Sequence, residues 1–417
     1  EESHASLATL LPATTPHELP LLPIQRWFFA QRFPKPAHWN LSIAVEARAP
    51  LEVDTLRASL ALLLARHAAL RARFHRPAFG WRAEIAPLEA ELPPIDQIEA
   101  SDDLERDIAS LTTRLAASLD LERGPMLRAG LVASAEHPWL VLVSHHLVMD
   151  GVSLRVLLEE LESTYLALSA DEPVALAATT VSLEQWVERL EQQGVDVAAI
   201  RAAAARQLLL PRAGAEAPPQ EWGQEGETRR LLTTFDRRDT ARLLRAAGAR
   251  LEAILLTALV EALAPLDRPL WIDLEEHGRD VVPELDTART VGWFTELARV
   301  ALLRGTDQLA TLNAVEEAVA QAVRPLLAAR FVARDPELTA ELDRLPRAAV
   351  SFNYLGRFDP LLESSRLWQA MAEPTAPRRA AEAARTHDLE IDASIERGEL
   401  RLSWSHRASA GAETARL

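Results

Sequence analysis

The stretch LVSHHLVMDGVS, at residues 142–153, sets the interpretation of the whole chain. It overlaps an apolar run at residues 139–143, which predicts a buried strand. Asp150-Gly151 predicts a turn, because glycine adopts a positive φ without steric cost. The amphipathic run at residues 152–168 predicts a helix. The stretch is therefore expected to form a strand, a turn and a helix, with two adjacent histidines where the strand ends.

The two histidines are expected to have different roles. Neighbouring side chains of a strand point to opposite faces, so one of His145 and His146 faces the interior and the other can face a cleft. Asp150 or Ser153 can cap the helix, whose free N–H groups then lie near the histidines. The plainer alternative is a pair of structural histidines. A metal site is poorly supported, since Asp150 is the only nearby third ligand and the chain has no Cys.

The composition excludes several classes of function. The 417 residues carry a net charge of −16, which argues against nucleic acid and anionic membranes as partners. No apolar run reaches the roughly 20 residues of a membrane span, and the first residues lack the features of a signal peptide. Without Cys, the chain has no thiolate nucleophile, disulfide or zinc-thiolate site. A cytoplasmic protein is expected.

Strands and helices alternate through both halves of the chain, which is typical of an α/β protein. Helical spacing extends over residues 51–74, and a closing hairpin is expected at residues 387–405. Residues 213–227, rich in Ala, Gly and Pro, predict an exposed connection. We place the boundary between two lobes near Val181.

Five segments resemble the motifs of one family and occur in its order. The His-His-x-x-x-Asp-Gly pattern resembles the signature of the condensation superfamily, which includes domains of nonribosomal peptide synthetases and chloramphenicol-acetyltransferase-like acyltransferases. Together the segments resemble the epimerization domains of nonribosomal peptide synthetases over nearly the whole chain. They are Pro23-Ile24-Gln25-x-Trp27-Phe28, His145-His146-x-x-x-Asp150-Gly151-x-Ser153, Glu275-x-His277-Gly278-Arg279, Arg289-Thr290-Val291-Gly292-Trp293-Phe294-Thr295 and Asn353-Tyr354-Leu355-Gly356.

The resemblance implies a fold. The chain would form two chloramphenicol-acetyltransferase-like α/β sandwich lobes, arranged as a V with the active site in the cleft between them. Residues 1–20 would be a lead-in linker, residues 21–180 the N-terminal lobe with the histidine motif, and residues 181–417 the C-terminal lobe with Glu275 and Asn353-Tyr354.

The resemblance also implies a reaction. An epimerization domain interconverts the L and D configuration at the Cα of an aminoacyl or peptidyl thioester on the phosphopantetheine arm of a carrier protein. The reaction needs a base, an acid on the other face and stabilisation of an enolate. His146, which matches the second His of the motif, is the first candidate for proton transfer, and its ordinary pKa of about 6.5 suits that role. Glu275 is the candidate on the opposing face; its structural alternative is an ion pair with Arg279.

The other residues of the histidine motif are expected to support His146. His145 would be packed and hydrogen-bonded in the core. Gly151 and Ser153 would shape the turn and the helix start. Asp150 would fix the loop through an ion pair with an arginine such as Arg66, Arg71 or Arg155.

The motif residues of the second half are expected to surround the substrate. Asn353 and Tyr354 would donate hydrogen bonds to the enolate or the thioester, and their alternative is a strand end that faces solvent. Trp293 and Phe294 would line or pack the cleft rather than react. Arg279 would support Glu275, the acid of the same segment.

Two residues depart from the family pattern, and two other functions stay open. Glu276 stands where the family usually has Gly, and it would alter the loop or place a second carboxylate near the site. Leu154 stands where the family usually has Trp. One alternative function is a condensation domain, which would use His146 but would not need Glu275 in this role. The other is a degenerate domain kept for docking.

The expected partners follow from the resemblance. They are a peptidyl carrier protein, upstream in the same synthetase, and a downstream condensation domain. The domain itself would bind no cofactor and no metal, because the phosphopantetheine arm arrives on the carrier protein. A monomer is expected.

Overall fold

The structure is a computed structural model that describes residues 15–78, 80–88, 92–177, 181–210, 222–264, 268–357 and 359–408. Most of the predicted lead-in and residues 213–221 of the predicted connection lie outside the described residues. The α/β fold class is confirmed, since the chain forms three separate sheets flanked by helices.

The fourteen described strands lie along the whole chain. They are β1 (His17–Leu19), β2 (Asn40–Ala47), β3 (Ala72–His75), β4 (Arg82–Ile85), β5 (Ile95–Glu99), β6 (Leu127–Ala133), β7 (Trp139–His145), β8 (Thr228–Phe235), β9 (Leu270–Glu276), β10 (Glu296–Leu302), β11 (Val350–Arg357), β12 (Trp368–Ala372), β13 (Leu389–Glu396) and β14 (Glu399–Arg407).

The described helices alternate with these strands. They are α1 (Pro23–Ala30), α2 (Val53–Arg66), α3 (Leu104–Ala117), α4 (Gly151–Ser169), α5 (Leu183–Gln193), α6 (Val197–Leu208), α7 (Arg237–Ala247), α8 (Leu251–Leu263), α9 (Gln308–Ala320), α10 (Leu326–Phe331), α11 (Pro336–Asp343) and α12 (Asp359–Ser364).

The chain forms two compact units, each assembled from three segments. The first unit comprises Glu1–Arg189, Val282–Phe294 and Pro360–Ala380, and the second comprises Leu190–Val281, Thr295–Asp359 and Ala381–Leu417. The lobe boundary near Val181 and the V arrangement remain predictions.

The first unit is built on a five-stranded sheet with the order β12-β2-β7-β6-β5. Strand β7 lies at its centre, antiparallel to β2 and to β6, and all seven of its residues are buried. This accounts for its continuous apolar sequence, because a central strand that is covered on both faces has no solvent side. On one face, Leu111 and Leu115 of α3 pack against Val141 and Val143. A smaller sheet, β1-β4-β3, completes the unit.

The helix predicted from the spacing over residues 51–74, with its end in the basic segment Arg66–Arg71, is confirmed up to Arg66, but the spacing beyond that segment is not helical. Helix α2 ends at Arg66, and His67 adopts an extended conformation with φ −99° and ψ 91°. A 3-10 turn, Ala68–Arg71, then leads into β3, which pairs with β4. Because β3 gains a full ladder of hydrogen bonds from β4, tertiary pairing overrides the helical spacing.

The strand, turn and helix predicted around the histidine motif are confirmed, apart from the conformation of Gly151. Strand β7 ends at His145, a short 3-10 turn follows at His146–Val148, and α4 starts at Gly151. Gly151 is the first helical residue and does not adopt the positive φ that we expected. The turn is made by the residues before it, and Asp150 stands at the helix N-cap.

The second unit is built on a six-stranded sheet with the order β10-β9-β11-β13-β14-β8. The three strands β9, β11 and β13 run parallel, and the others pair antiparallel. On one face, Leu256 of α8 and Val315 of α9 pack with Ile272, Phe352 and Ile391 of the sheet. Because strand side chains alternate, the residues between these apolar positions project from the opposite face.

The opposite face of this sheet is polar at its centre. Asp273 and Glu275 of β9 lie beside Ser351 and Asn353 of β11, paired in that order by the strand register. The closing hairpin, β13 and β14, is confirmed as predicted from the sequence.

No helix among the described residues is long and apolar enough to cross a membrane.

Candidate functional site

His145 is a fully buried residue held on both ring nitrogens. Its Nε2 lies 2.7 Å from the carbonyl oxygen of Pro36, and its Nδ1 accepts the N–H of Leu147 at 3.1 Å. This network assigns the proton to Nε2. Burial is the main cause that lowers the pKa of His145 to about 3, so the ring is neutral at ordinary pH. His145 is therefore packed and hydrogen-bonded, as the sequence predicted.

The backbone around His146 is fixed by contacts from three directions. The N–H of His146 donates to the carbonyl of Trp39 at 2.9 Å, and the next residue, Leu147, is bound by His145. The carbonyl of Leu147 accepts Nε2 of Gln25 at 2.7 Å. Gln25 is itself buried in α1. These contacts fix the position of the histidine loop before any ligand binds, which suits a group that must meet a reacting atom.

The side chain of His146 is partly buried and neutral at ordinary pH. Burial is the largest cause that lowers its pKa to about 4; the positive charges of Arg378 and Arg379 also lower it, and Asp150 raises it. Its Nδ1 is buried, with no hydrogen-bond partner among the described residues. A neutral imidazole can accept a proton, so the environment keeps the ring in its basic form near pH 7.

Asp150 and Ser153 connect the histidine motif to residues 292–294. One carboxylate oxygen of Asp150 caps α4 by accepting the N–H of Ser153 at 2.7 Å, and the other accepts the N–H of Phe294 at 3.2 Å. The hydroxyl of Ser153 donates to the carbonyl of Gly292 at 2.9 Å and lies 3.0 Å from its nitrogen, whose N–H it accepts. Two motifs that are far apart in the sequence are thus joined by hydrogen bonds at both ends of the Gly-Trp-Phe segment.

The residue between these anchors, Trp293, packs on the catalytic candidate. The centroid of its ring lies 4.4 Å from the centroid of the His146 ring, and the two planes are tilted by 35°. Trp293 and Phe294 are both buried, and Phe294 also contacts Trp186 edge-on at 5.2 Å. Both aromatic residues pack within the first unit, and their predicted role in lining a substrate cleft remains a prediction.

Two of the three arginines proposed as partners of Asp150 have contacts with other residues. Arg66 forms an ion pair with the buried Glu160 at 2.9 Å, and Arg71 donates to the carbonyl of Ala86 at 3.1 Å. Glu160 also accepts Nε2 of His67 at 2.7 Å and pairs with Arg289 at 3.0 Å. This cluster binds residues 282–294 to α4 by a second route, and the pairing of Asp150 with Arg155 remains a prediction.

Glu275 lies at the polar face of the second sheet, beside two hydrogen-bond donors. The hydroxyl of Ser351 donates to its Oε1 at 3.1 Å, and Nδ2 of Asn353 donates to its Oε2 at 3.2 Å. Asn353 is the register partner of Glu275 on the parallel neighbour β11. Both carboxylate oxygens are therefore oriented by neighbouring side chains, which is the geometry of a positioned acid or base.

A buried ion pair anchors strand β9 two residues before Glu275. The carboxylate of Asp273 pairs with the guanidinium of Arg299 at 2.6 Å and accepts Nε2 of His387 at 3.1 Å. Burial alone would raise the pKa of Asp273, but Arg299 and His387 hold it well below its usual range. Such a paired, buried carboxylate is a structural anchor.

Glu276, the departure from the family pattern, is directed away from Glu275. As the next strand residue it projects from the other face, where its carboxylate pairs with Arg324 at 3.3 Å. Burial raises the pKa of Glu276, and the nearby carboxylate of Glu252 in α8 adds to this. The expectation that Glu276 would place a second carboxylate near the site is therefore wrong, because strand alternation separates the two side chains.

Tyr354, Gly356 and Arg279 complete the motifs of the second unit. Tyr354 packs at the edge of the apolar core, on the face opposite to Asn353. The strand register shifts after Tyr354, and Gly356 adopts a φ of +79° at this bulge. Arg279 is buried in a 3-10 turn, and its N–H donates to Nδ1 of His277 at 3.1 Å. The site roles of Tyr354 and Arg279 remain predictions.

Sequence reasoning missed two polar residues that hold the candidates. Ser351 is buried beside Glu275, and a serine inside an apolar strand was the available signal. Gln25 belongs to the first of the five motifs, and its isolated amide among apolar residues was the signal for a support of the histidine loop. Among the described residues, no group of three or more His, Asp or Glu side chains is arranged to hold a metal ion.

The fold and the sites define a class of protein. An α/β chain with a buried His-His-x-x-x-Asp-Gly loop that is hydrogen-bonded to a Gly-Trp-Phe segment is a domain of the condensation superfamily of nonribosomal peptide synthetases. A sequence model of the condensation domain matches residues 15–410. The chain therefore belongs to the condensation-domain family.

Its sequence relatives are much longer synthetases. A linear gramicidin synthase of Brevibacillus parabrevis is 31% identical over 93% of this chain and 8% of that protein. Chondramide synthase of Chondromyces crocatus is 32% identical over 93% of this chain and 10% of that protein. The chain thus spans about a tenth or less of the length of these curated relatives.

Solved structures of two kinds share the fold. The epimerization domain from the third module of tyrocidine synthetase B is 27% identical, with a TM-score of 0.80 over 94% of this chain and 91% of that one. The first condensation domain of the CDA synthetase is 20% identical, with a TM-score of 0.70 over 95% of this chain and 92% of that one. The second likeness concerns the fold alone.

Proposed function

We propose that this chain is an epimerization domain that acts on an aminoacyl or peptidyl thioester carried by the phosphopantetheine arm of a carrier protein. The observation that carries the proposal is the carboxylate of Glu275, with Ser351 and Asn353 each donating to one of its oxygens. A domain that only joined two substrates would not need this arrangement. The higher TM-score of the epimerization domain from tyrocidine synthetase B supports the same function.

The proposed reaction exchanges the Cα proton between two faces of one carbon. In one direction His146 removes the proton, the electron pair of the C–H bond moves into an enolate of the thioester, and Glu275 in its carboxylic acid form returns a proton to the opposite face. In the other direction the roles of the two groups exchange. Protons on both groups exchange with solvent between turnovers, so the reaction needs no oxidant, reductant or metal.

The ionisation of His146 fits the first half of this reaction. Its pKa of about 4 keeps the imidazole neutral near pH 7, ready to accept a proton. Formation of the imidazolium is then stabilised by Asp150, whose negative charge acts on the ring. A hydrogen-bond donor must also stabilise the enolate oxygen, and we assign this role to Asn353, because Tyr354 lies on the other face of β11.

The two departures from the family pattern are compatible with activity. Glu276 projects from the other face of the sheet and pairs with Arg324, so it leaves the surroundings of Glu275 unchanged. Leu154 is buried in α4, where an apolar side chain of smaller volume than Trp is accommodated. We further propose a carrier protein upstream in the same synthetase, a downstream condensation domain, a monomeric state and a cytoplasmic location.

Proton exchange at Cα tests the proposal directly. The chain is mixed with a carrier protein loaded with an aminoacyl or peptidyl thioester in deuterated water, and mass and chirality are followed. We expect deuterium uptake with a mixed L and D product, lost in His146→Ala and in Glu275→Gln. Matched controls are His137→Ala, an exposed histidine, and Glu276→Gln, the neighbouring carboxylate on the other face; both should keep the activity.

The same preparation separates the alternatives. A new peptide bond after addition of a second loaded carrier protein, without deuterium uptake, would replace the proposal by a condensation domain. Absence of both reactions across several substrates would favour a docking domain.

A further inference from the structure

We propose that Ser351 is a positioning residue for Glu275, which fixes its carboxylate and favours its ionised, proton-accepting form. The inference rests on the proposed epimerization for its kinetic consequences, and on the geometry of the second sheet for the contact itself. Ser351 lies outside the five segments that resemble the family motifs.

Strand register places Ser351 opposite one carboxylate of the neighbouring strand and next to a second. Its Cα partner on β9 is Asp273, and Glu275 lies two residues further along the same face. The side chain of Ser351 is buried, so its hydroxyl must find a partner within the protein. Both carboxylates are within the reach of a residue at this position.

The other contacts of Asp273 and Glu275 explain which of the two carboxylates accepts the hydroxyl of Ser351. Asp273 is occupied by the guanidinium of Arg299, through two contacts of 2.6 and 2.7 Å, and by His387 at 3.1 Å. The hydroxyl of Ser351 donates instead to Oε1 of Glu275 at 3.1 Å. Arg299 and His387 thus occupy both oxygens of the nearer acid, and the hydroxyl of Ser351 bonds the catalytic candidate instead.

This hydrogen bond has two consequences for Glu275. Because Asn353 holds the other oxygen, the two donors fix the plane of the carboxylate as well as its position. A hydroxyl that donates to a carboxylate also stabilises the charged form over the neutral acid. Loss of Ser351 should therefore disorder the carboxylate and shift its titration to higher pH.

Ser351→Ala is the test variant, and Ser394→Ala is its matched control. Ser394 is buried in the same sheet, on β13, and its hydroxyl likewise donates to a glutamate, Oε1 of Glu396, at 2.9 Å. Ser351→Thr keeps a hydroxyl at the position and is the rescue variant. Wash-out of deuterium from Cα is measured separately from the L and the D thioester over a range of pH.

We expect Ser351→Ala to lower the maximal wash-out rate about tenfold, as loss of a hydrogen bond to a charged group implies. For the thioester, L or D, from which Glu275 removes the proton, the acid limb of the pH profile should move to higher pH. Ser351→Thr should restore both quantities, and Ser394→Ala should change neither. A Ser351→Ala profile that coincides with that of Ser394→Ala overturns the inference.

A second measurement keeps the inference testable without turnover. The carboxyl carbon of Glu275 is followed by NMR in protein labelled with 13C at the glutamate side-chain carboxyl, and its signal is assigned by its absence in Glu275→Gln. Its titration midpoint should rise in Ser351→Ala and return in Ser351→Thr. A rise without any proton exchange in the unmodified domain would reject the proposed function but keep the contact, whereas an unchanged midpoint would reject the contact.

Discussion

The indole ring of Trp293 lies against the imidazole ring of His146, with ring centroids 4.4 Å apart and planes tilted by 35°. The backbone on either side of the indole is fixed by the histidine motif itself, through Ser153 at Gly292 and Asp150 at Phe294. The motif therefore positions the residue that packs on its own histidine. This arrangement excludes water from one face of the imidazole and contributes to its lowered pKa.

Removal of the Trp293 ring should destabilise the domain. Trp293 is buried, and truncation of a buried Trp to Ala typically costs about 3–5 kcal/mol, while Trp293→Phe keeps most of the contact area and should cost much less. Chemical denaturation followed by circular dichroism measures both variants. Equal stability of Trp293→Ala and the unmodified protein would show that the ring is not packed as described.

Ser153→Ala should loosen the connection between the two motifs. It removes the donor to the Gly292 carbonyl and the acceptor of the Gly292 N–H, both buried, so the free energy of unfolding should fall by about 2 kcal/mol. The control is Ser163→Ala in the same helix, an exposed residue whose hydroxyl bonds only the carbonyl of Glu159 among its described contacts. A fall of equal size in both variants would mean that the contact with Gly292 contributes nothing specific.

His145 should make the domain sensitive to mild acid. Its pKa is about 3 in the folded protein and near 6.5 when unfolded, so between these values the unfolded state binds a proton that the folded state does not. Stability therefore falls as the pH is lowered through 6.5. Between pH 7.5 and pH 5 the unmodified protein should lose about 2 kcal/mol more than His145→Asn. Parallel losses in urea titrations at the two pH values would contradict the assignment of a buried neutral imidazole.

Asp273→Asn should be among the most damaging changes in the second unit. It leaves the guanidinium of Arg299 buried without its charge partner, a situation that typically costs about 3–5 kcal/mol. Asp239→Asn breaks an exposed pair with Arg242 at 3.5 Å and should have little effect. Thermal and chemical unfolding measure the stability of both variants. An Asp273→Asn variant as stable as the unmodified protein would show that the ion pair does not anchor the sheet.

Glu276→Gly, which restores the residue that the family usually carries, should leave proton exchange nearly unchanged. The carboxylate of Glu276 pairs with Arg324 on the face of the sheet opposite to Glu275. The variant should lose up to about 1 kcal/mol of stability, because glycine weakens a strand. A large rise or fall of the exchange rate in the deuterium assay would show that Glu276 acts on the site after all.

The local pattern of the chain was sufficient for much of the fold. The all-buried β7 was predicted from its apolar run, α4 from its amphipathic spacing, and the closing hairpin from two alternating stretches, since each of these signals comes from neighbouring residues. The helical spacing that continues to residue 74 failed where β3 pairs with β4, and such pairing is not visible in local spacing. Strand β10 was also missed, although its sequence from residue 297 to 302 is apolar except for Arg299.

The sequence by itself determined which residues are candidates for the site: the two histidines, Glu275, and the Gly-Trp-Phe segment, all recognisable as short motifs. Only the tertiary structure decided how they are held. Ser351 meets Glu275 across 76 positions, and Ser153 meets Gly292 across 139, because strand register and packing set these pairs. A motif records which groups are present, whereas hydrogen bonds between distant segments exist only once the sheets have formed. For the same reason, the sequence placed Glu276 beside Glu275, and the alternation of the strand put it on the other face.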